Sequence, residues 1–423
     1  MSAPAVRGQA LPAGEASPVS TGFSLPKVGG SLQWAVTASD SLSWGYYAHS
    51  GVTNFSNLSG DLAYLSTSRY HPFSAVISGG RSWSTDSGPS YSFVGLGLSQ
   101  VITAGRWNIV LSDGLSYVPG TPVPGLSGVA GLGDLGVSPV QVGPDSGQGI
   151  LTNYSPEITN NAGGSISRMI TGKTGINGSA SYTVLRFVSG GSDAGAHGLE
   201  SDGVTGSGGF THRVDARDTF GGNYSYSSYI FLQNLSNGVP EPNFVSQVGS
   251  LTYSRQLSRK MSLSLAAGPE FTTINFSDQP MSVTAYADAQ LNYAGQFEHW
   301  SLGYVRSTNS GYGVVGGALA DSVNFGVGRT FGKVWGTSAN VAYSRTTSLP
   351  NVLIAPYNFQ TVVAGVQASR ALGRNLSGYG SYTVEHQSGS GATTNAVDLF
   401  SGVNQILSFG ITYSPASRQF GRP

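Results

Sequence analysis

Stretches of about 9–13 residues in which apolar and polar side chains alternate follow one another along most of this chain. The connections between them fall into two classes that take turns along the sequence. Very short turns with glycine or charged residues occur at 104–105, 171–174, 215–218, 258–260, 294–296, 331–333 and 372–375. Longer connections occur at 49–57, 84–90, 118–161, 188–199, 233–243, 307–318, 347–357 and 388–402. A soluble sandwich gives no reason for this sorting, whereas a ring of strands across a membrane places short turns on one side and long loops on the other.

The composition is that of a protein whose surface is only partly in water. Charged residues make up 10% of the chain and aromatic residues 11%, whereas soluble domains carry about 25% charged residues. No run of about 18 apolar residues occurs, so the sequence excludes transmembrane helices. A closed ring of β-strands is the remaining structure that pairs every backbone polar group inside a bilayer.

The alternation assigns each side chain to a face. In 283–293 the odd-numbered residues are apolar or aromatic and most even-numbered residues are polar, and 335–344 and 407–414 show the same pattern. Glycine, serine and asparagine dominate the polar face, as a wet lumen requires. Because successive strand residues point to opposite faces, we expect the odd-numbered set to face lipid and the even-numbered set to face water.

The sequence therefore predicts an all-β, transmembrane antiparallel up-and-down β-barrel of about 18 strands, within a range of 16–20, with short periplasmic turns and long extracellular loops. We expect a flexible N-terminal segment at 1–30, the barrel at 31–414 and a tail at 415–423. Starting the barrel at Ser41 gives the even strand number that two periplasmic termini require. The stretch 31–39 is then a misread segment or a plug.

The first residues, 1–6, have neither the basic nor the apolar region of an export signal. We expect that a signal was removed or omitted, or that the start lies elsewhere.

Polar residues at mid-strand positions are the candidates for the lumen lining. A charge that faces lipid at mid-depth is costly, so Asp288 and Asp61 should point inward. Asp288 is either a pore-lining group or one partner of a salt bridge across the lumen. The full candidate set for the lumen is Asp288, Gln290, Asn292, Asp61 and Asn340.

Residues 118–161 form the one very long connection. About 40 residues without regular structure inside a compact fold usually mean a functional loop. In a porin-like barrel this loop would fold into the lumen, where Asp134, Asp145 and Glu157 would set selectivity opposite lumen arginines. The alternative is a surface loop that contacts a partner or another protomer.

A tyrosine followed two residues later by an arginine recurs at strand ends. Aromatic rings favour the headgroup level of a membrane, and an arginine beyond the ring can extend toward water or phosphate. We expect Arg306 and Arg345 at the outer rim, near lipopolysaccharide phosphates, and Arg255 at the periplasmic rim; solubility near a turn is the alternative reason for these arginines. The motif occurs at Tyr253–Arg255, Tyr304–Arg306 and Tyr343–Arg345.

Several kinds of chemistry are missing from the sequence. Basic and acidic residues balance at 21 each, so no basic footprint for nucleic acid exists. Without cysteine there is no disulfide framework and no thiolate metal site. No metal-ligand spacing of histidines, nucleophile elbow or nucleotide-binding loop occurs. Glu385 and His386 are neighbours but point to opposite faces of a strand, so we expect no enzyme, cofactor or metal.

Four segments resemble a group of outer-membrane β-barrel proteins of Acidobacteria. These are Leu111–Pro119 running on to Gly136, His71–Ser74, Thr211–Arg217, and the final strand NQILSFGITYSP. The likeness covers roughly residues 45–414, at the level of sequence texture and without a catalytic signature. That group has no established biochemical role, so the resemblance implies the barrel fold and the outer membrane, and no particular activity.

Two functions compete. The first is a porin-like channel for small hydrophilic solutes in the outer membrane, because about 18 strands leave an aqueous lumen. The alternative is a structural or interaction barrel that anchors a surface or export assembly through loops such as 118–161 and 388–402. In both cases the expected partners are outer-membrane lipid and lipopolysaccharide, with a homo-oligomer or an export partner as further options.

Overall fold

The computed structural model describes residues 30–45, 51–66, 68, 71–84, 90–118, 157–188, 199–232, 243–275, 281–311, 315–332, 334–349, 357–390 and 402–420. No helix in these ranges is long and apolar enough to span a bilayer.

Nineteen β-strands make up the regular structure of these ranges. They are β1 Gly30–Gly45, β2 Val52–Ser66, β3 Phe73–Ser84, β4 Tyr91–Ala104, β5 Trp107–Val118, β6 Glu157–Met169, β7 Thr174–Phe187, β8 Ser201–Arg213, β9 Asp218–Phe231, β10 Phe244–Ser258, β11 Met261–Ile274, β12 Ser282–Ala294, β13 Glu298–Asn309, β14 Ala318–Phe331, β15 Trp335–Ser348, β16 Asn358–Ala371, β17 Leu376–Ser390, β18 Gly402–Tyr413 and β19 Arg418–Phe420.

Strands β1 to β18 form a closed antiparallel ring in chain order. Each pairs with the next, and β1 closes the ring on β18 from Val36↔Tyr413 to Gly45↔Asn404. The short β19, within the predicted tail, pairs with the start of β1 at Gly30–Leu32. The predicted fold class and the preferred number of 18 strands are confirmed, and β1 to β18, as the structure describes them, each have a partner strand on both sides.

The expected start at Ser41 is wrong. β1 runs without interruption from Gly30 to Gly45, so 31–39 is neither a separate strand nor a plug. The alternation that begins with Trp34 and Val36 on one face continues through Leu42, and both halves pair with β2. The sequence was misread because polar Asp40 occupies an outward position in the middle of this pattern.

The connections sort to the two ends of the ring as the sequence predicts. One end carries turns as tight as Gly105–Arg106 and Arg259–Lys260, and the other carries the long connections, including the one between β5 and β6. In the β8–β9 turn, Asp215 Oδ1 accepts hydrogen bonds from the backbone N–H groups of Arg217 and Asp218, at 2.6 and 2.8 Å. These bonds lower the pKa of Asp215 because they stabilise its charged form.

The outer wall is apolar over most of its height. Leu251, at the middle of β10, is 77% exposed, and outward Val, Leu, Ile and Phe side chains recur around the ring. Asp40 and Asp113 are among the outward carboxylates, and each has a hydrogen-bond donor on the neighbouring strand. Ser56 Oγ donates to Asp40 at 2.5 Å, and Asn160 Nδ2 donates to Asp113 at 2.9 Å. These bonds reduce the cost of placing a carboxylate in an apolar surface.

Aromatic side chains collect on the outer wall at the short-turn end. Ring pairs join neighbouring strands, with centroid distances of 4.8 Å for Phe220–Tyr253, 5.6 Å for Trp34–Tyr413 and 5.7 Å for Tyr293–Trp300. Such a girdle matches the level where a bilayer meets water, because amphipathic rings favour that interface.

Candidate pore and its mouth

Small polar side chains line the inner wall of the ring. They alternate with the outward apolar residues, as the two-residue period of a strand requires. Buried serines and threonines occur on inward positions of most parts of the ring, among them Thr37, Ser41, Ser74, Ser99, Ser201, Ser250, Thr272, Thr346, Thr361 and Ser408. This lining suits water and hydrophilic solutes.

Most charged groups on the inward positions of the described strands are carboxylates. They are Asp61, Glu157, Glu270, Asp288 and Glu385. Among the lysines and arginines of these strands, Arg213 alone lies on an inward position. It is the last residue of β8, exposed at the short-turn rim, and donates to the carbonyl oxygen of Gly172 at 3.1 Å. The expectation of lumen arginines opposite the acids therefore finds no support in the described strands.

Glu270 of β11 is the most enclosed of these carboxylates, with 1% of its surface exposed. Its Oε1 accepts hydrogen bonds from Ser246 Oγ at 2.6 Å and from the backbone N–H of Thr308 at 3.1 Å. Thr308 belongs to β13, two strands away in the ring. β12–β13 pairing ends at Ala287↔Arg306, whereas β13–β14 pairing continues to Asn309↔Ala318, so the end of β13 separates from β12 and contacts Glu270 instead.

An apolar cluster lies inside the ring at the long-loop end. Its buried members are Phe231 of β9, Phe244 of β10 and Leu349 just after β15, with Tyr229 among the residues packed against them. The rings of Phe244 and Tyr229 stack with their centroids 4.8 Å apart. Strands β9 and β10 are not neighbours of β15, so this contact crosses the interior and narrows the mouth.

Gly317, immediately before β14, packs against the same cluster. The backbone N–H of Leu349 donates to Gly317 O at 3.0 Å. A Cβ at Gly317 would lie 2.7 Å from carbon atoms of both Leu349 and Phe244, and its φ of +100° disfavours other residues. Glycine at this position therefore allows the β13–β14 connection to approach the opposite wall.

A second polar network fixes side chains on β16, β17, β18 and β1. Asn404 Nδ2 donates to Glu385 Oε2 at 3.2 Å, and Ser43 Oγ donates to Asn404 Oδ1 at 3.1 Å. Thr361 Oγ1 donates to Gln387 Oε1 at 2.9 Å. All five residues are almost completely buried, so the bonds hold Glu385 in a fixed orientation in the wall.

The five residues predicted to line the lumen all lie on inward positions. Asp288, 9% exposed, shares its face of β12 with Gln290 and Asn292. Asp61 lies on the inner face of β2, next to outward Leu62, and Asn340 lies inward on β15. Their part in permeation stays a prediction.

Of the three acids of the predicted constriction loop, one lies in the described part of the chain. Asp134 and Asp145 lie outside the described residues. Glu157 is the first residue of β6 and pairs with Val118 and Phe187, so strand structure begins before the predicted loop end at 161. The sequence around Asn160 is polar and therefore looks like a loop. In the structure Asn160 lies on the outer face of β6, where its bond to Asp113 makes a polar side chain acceptable.

The two Tyr–x–Arg motifs of β13 and β15 face outward toward the long-loop end, on either side of Asp321. Arg306 Nη1 donates to both carboxylate oxygens of Asp321, at 3.1 and 3.3 Å. Tyr304 Oη donates to Asp321 Oδ1 at 2.9 Å. Tyr343 and Arg345 lie on the other side of β14, with Arg345 paired in register with Asp321. Arg306 thus already has an anionic partner, and contact of either arginine with lipopolysaccharide stays a prediction.

The third motif lies at the short-turn end, as predicted. Tyr253 Oη donates to Asp218 Oδ1 at 2.7 Å, and Arg255 Nε lies 3.7 Å from the same oxygen. Tyr253 therefore forms part of the aromatic girdle, with its hydroxyl tied to a carboxylate at the rim.

Glu385 and His386 point to opposite faces of β17, as expected. Glu385 is 2% exposed on the inner face, whereas His386 is exposed and its Nδ1 lies 2.9 Å from Gly402 O. Within the described ranges, no group of three or more histidine, aspartate or glutamate side chains is arranged to hold a metal ion.

Comparison with solved structures finds chains of similar architecture at low sequence identity. Pseudomonas aeruginosa OpdQ is 11% identical with a TM-score of 0.43, covering 91% of this chain and 98% of that one. Acinetobacter baumannii OccAB3 is 9% identical with a TM-score of 0.44, covering 91% of this chain and 99% of that one. Pseudomonas aeruginosa OccK2 (OpdF) is 10% identical with a TM-score of 0.45, covering 91% of this chain and 97% of that one. No family model and no curated protein matches the chain.

Sequence reasoning missed Glu270, Phe244 and Gly317. One signal was present: Phe244 shares its face of β10 with Ser246 and Ser250, so a large aromatic ring stands on a mostly polar face. The contacts of Glu270 and Gly317 depend on the path of the chain inside the ring, which alternation along a strand does not encode.

Proposed function

We propose that this protein is a porin-like channel of the bacterial outer membrane that passes small hydrophilic solutes. The observation that carries the proposal is the closed ring of 18 strands with an apolar outer face and a polar inner face. Rings of about eight strands are filled by their own side chains, whereas rings of about 16–18 strands leave an aqueous lumen.

The charge of the inner wall supports a preference for cations. Five carboxylates face inward on the described strands, and the one inward arginine, Arg213, lies at the rim. A ring wall of one charge sign concentrates ions of the opposite sign and repels ions of the same sign. Neutral and cationic solutes are therefore the proposed cargo.

Single-channel recording in planar bilayers tests the channel itself. Purified protein should insert from detergent and give discrete conductance steps, and its gel mobility should change on heating, as for a folded barrel. Silence at all voltages from protein whose mobility shows it to be folded would refute the channel, as would a chain that is freely soluble in water.

Replacing Asp288 with asparagine should weaken the cation preference. A unit charge about 4 Å from a permeating ion in water is worth about 1 kcal/mol, or up to about fivefold in local ion concentration. The reversal potential in a salt gradient measures this change. Asp113→Asn is the matched control, because Asp113 faces outward beside Asn160; an equal shift in both variants would contradict the assignment of Asp288 to the pore.

A further inference from the structure

Basic side chains gather at the short-turn end of the ring. The described residues there include Arg106, Arg168, Lys173, Arg213, Arg217, Arg255, Arg259, Lys260, Arg329, Arg370 and Arg374, against the acids Asp215, Asp218 and Glu298. Toward the long-loop end, Arg186 and Arg306 are each paired with an aspartate. The excess of positive charge is therefore confined to one rim.

Three of these arginines lie against aromatic rings on the outer wall. The guanidinium carbon is 4.8 Å from the ring centroid for Arg168 over Trp107, 5.0 Å for Arg329 over Phe331, and 5.3 Å for Arg370 over Trp335. These contacts hold the cations against the wall at the level of the aromatic girdle. Arg329 and Arg370 lie on β14 and β16, on either side of β15, and their aromatic partners are neighbours, because Phe331 pairs with Trp335 and Trp335 pairs with Arg370.

An apolar groove of about 570 Å³ extends from Arg329 toward the middle of the outer wall across β14–β18. Small residues form its floor and larger ones its sides, with Val366 and Phe409 projecting at 54% and 56% exposure. The residues that define the floor are Thr337, Ala339, Ala368 and Gly380.

Charge and shape together indicate the occupant. Neither Arg329 nor Arg370 takes part in the ion pairs found among the described residues, which use Arg186, Arg255 and Arg306. Guanidinium groups bind phosphate oxygens well, often through two parallel bonds. An apolar groove that starts at Arg329, with Arg370 on the next strand but one, fits a molecule with an anionic phosphate head and a hydrocarbon tail.

We propose that this groove binds one phospholipid, with its anionic headgroup phosphate between Arg329 and Arg370 and an acyl chain along Ala368 and Gly380. The inference shares one assumption with the proposed function, namely that the outer wall faces a bilayer. It does not require that the barrel conducts solutes. It adds a specific lipid site at one position of that wall, on the side of the short turns.

Native mass spectrometry of the full-length protein in detergent tests the site, with phosphatidylglycerol and phosphatidylethanolamine offered separately. The double variant Arg329→Gln/Arg370→Gln should retain phosphatidylglycerol about thirtyfold more weakly, since each basic residue near a membrane surface contributes about fivefold. The matched control is Arg81→Gln/Arg345→Gln, which removes two outward arginines away from the groove and should change nothing. Ala368→Phe, which fills the floor, should expel both lipids without altering charge.

Equal lipid retention by the test and control pairs would overturn the proposal. So would a melting-temperature rise with inorganic phosphate alone as large as that with phosphatidylglycerol, because the acyl groove would then contribute nothing. A polyanionic partner is the other outcome of the test. If the Arg329→Gln/Arg370→Gln variant loses binding to peptidoglycan sacculi and retains lipid as the unchanged protein does, the lipid proposal is overturned. Heat-modifiable mobility shows that each variant is folded. Lipid binding by a protein silent in bilayers would refute the channel and leave the lipid site standing.

Discussion

Arginine in place of Ala289 should destabilise the folded barrel by about 2–4 kcal/mol, the cost of an arginine facing lipid near mid-depth. Ala289 lies near the middle of β12 and pairs with Leu265 and Tyr304, both on the outer face. The new guanidinium would therefore enter hydrocarbon. Urea-induced unfolding in lipid vesicles, followed by tryptophan fluorescence and gel mobility, measures the free energy of unfolding.

The adjacent Gln290→Arg variant is the control for this prediction. Gln290 pairs with Ser264 and Gly303, so its side chain points into the lumen between small residues. An arginine at position 290 would lie in water, so it should leave the free energy of unfolding nearly unchanged. Its positive charge in the lumen should reduce the preference for cations. If Gln290→Arg is the more destabilising of the two, the inside and outside of the ring have been assigned the wrong way round.

The faces of the strands could be predicted from the sequence because they depend on a local rule. In β12, Asp288 and Gln290 alternate with Ala287 and Ala289, and a period of two assigns all four without any knowledge of the neighbours. The sorting of short and long connections then implies a ring, because up-and-down strands bring every second connection to the same end. The strand number follows from the same count.

The errors arose where one residue departs from the local rule for a reason on a neighbouring strand. Asp40 interrupts the apolar face of β1, and its partner Ser56 lies on β2. Asn160 makes the start of β6 look like a loop, and its partner Asp113 lies on β5. Each polar residue becomes acceptable on the outer face only through a bond that the single strand does not contain.

The narrowing of the mouth depends on contacts between strands that are not neighbours in the ring. Glu270 on β11 holds the end of β13 through Thr308, and Phe244 on β10 contacts the segment that precedes β14. The sequence offered 118–161 as a constriction loop or a surface loop, and residues 119–156 lie outside the described residues; among the described residues, Gly317 and Leu349 narrow the mouth.

Replacing Phe244 with alanine should therefore widen the channel. Phe244 is completely buried between Tyr229, Phe231 and the residues 317 and 349. Its truncation removes the surface on which the inward segment packs, and a buried Phe→Ala change typically costs about 3–5 kcal/mol. We expect a larger single-channel conductance together with a lower urea midpoint of unfolding.

The matched control is Phe409→Ala, which removes the same side chain from the outer wall, where Phe409 is 56% exposed. It should leave the conductance unchanged, because Phe409 points away from the lumen. An unchanged conductance in Phe244→Ala, from protein that gel mobility shows to be folded, would contradict a constriction at this cluster. An added Glu270→Leu change, which removes the acceptor, distinguishes packing from hydrogen bonding: if the Thr308 bond also holds the inward segment, the double variant should conduct more than Phe244→Ala alone.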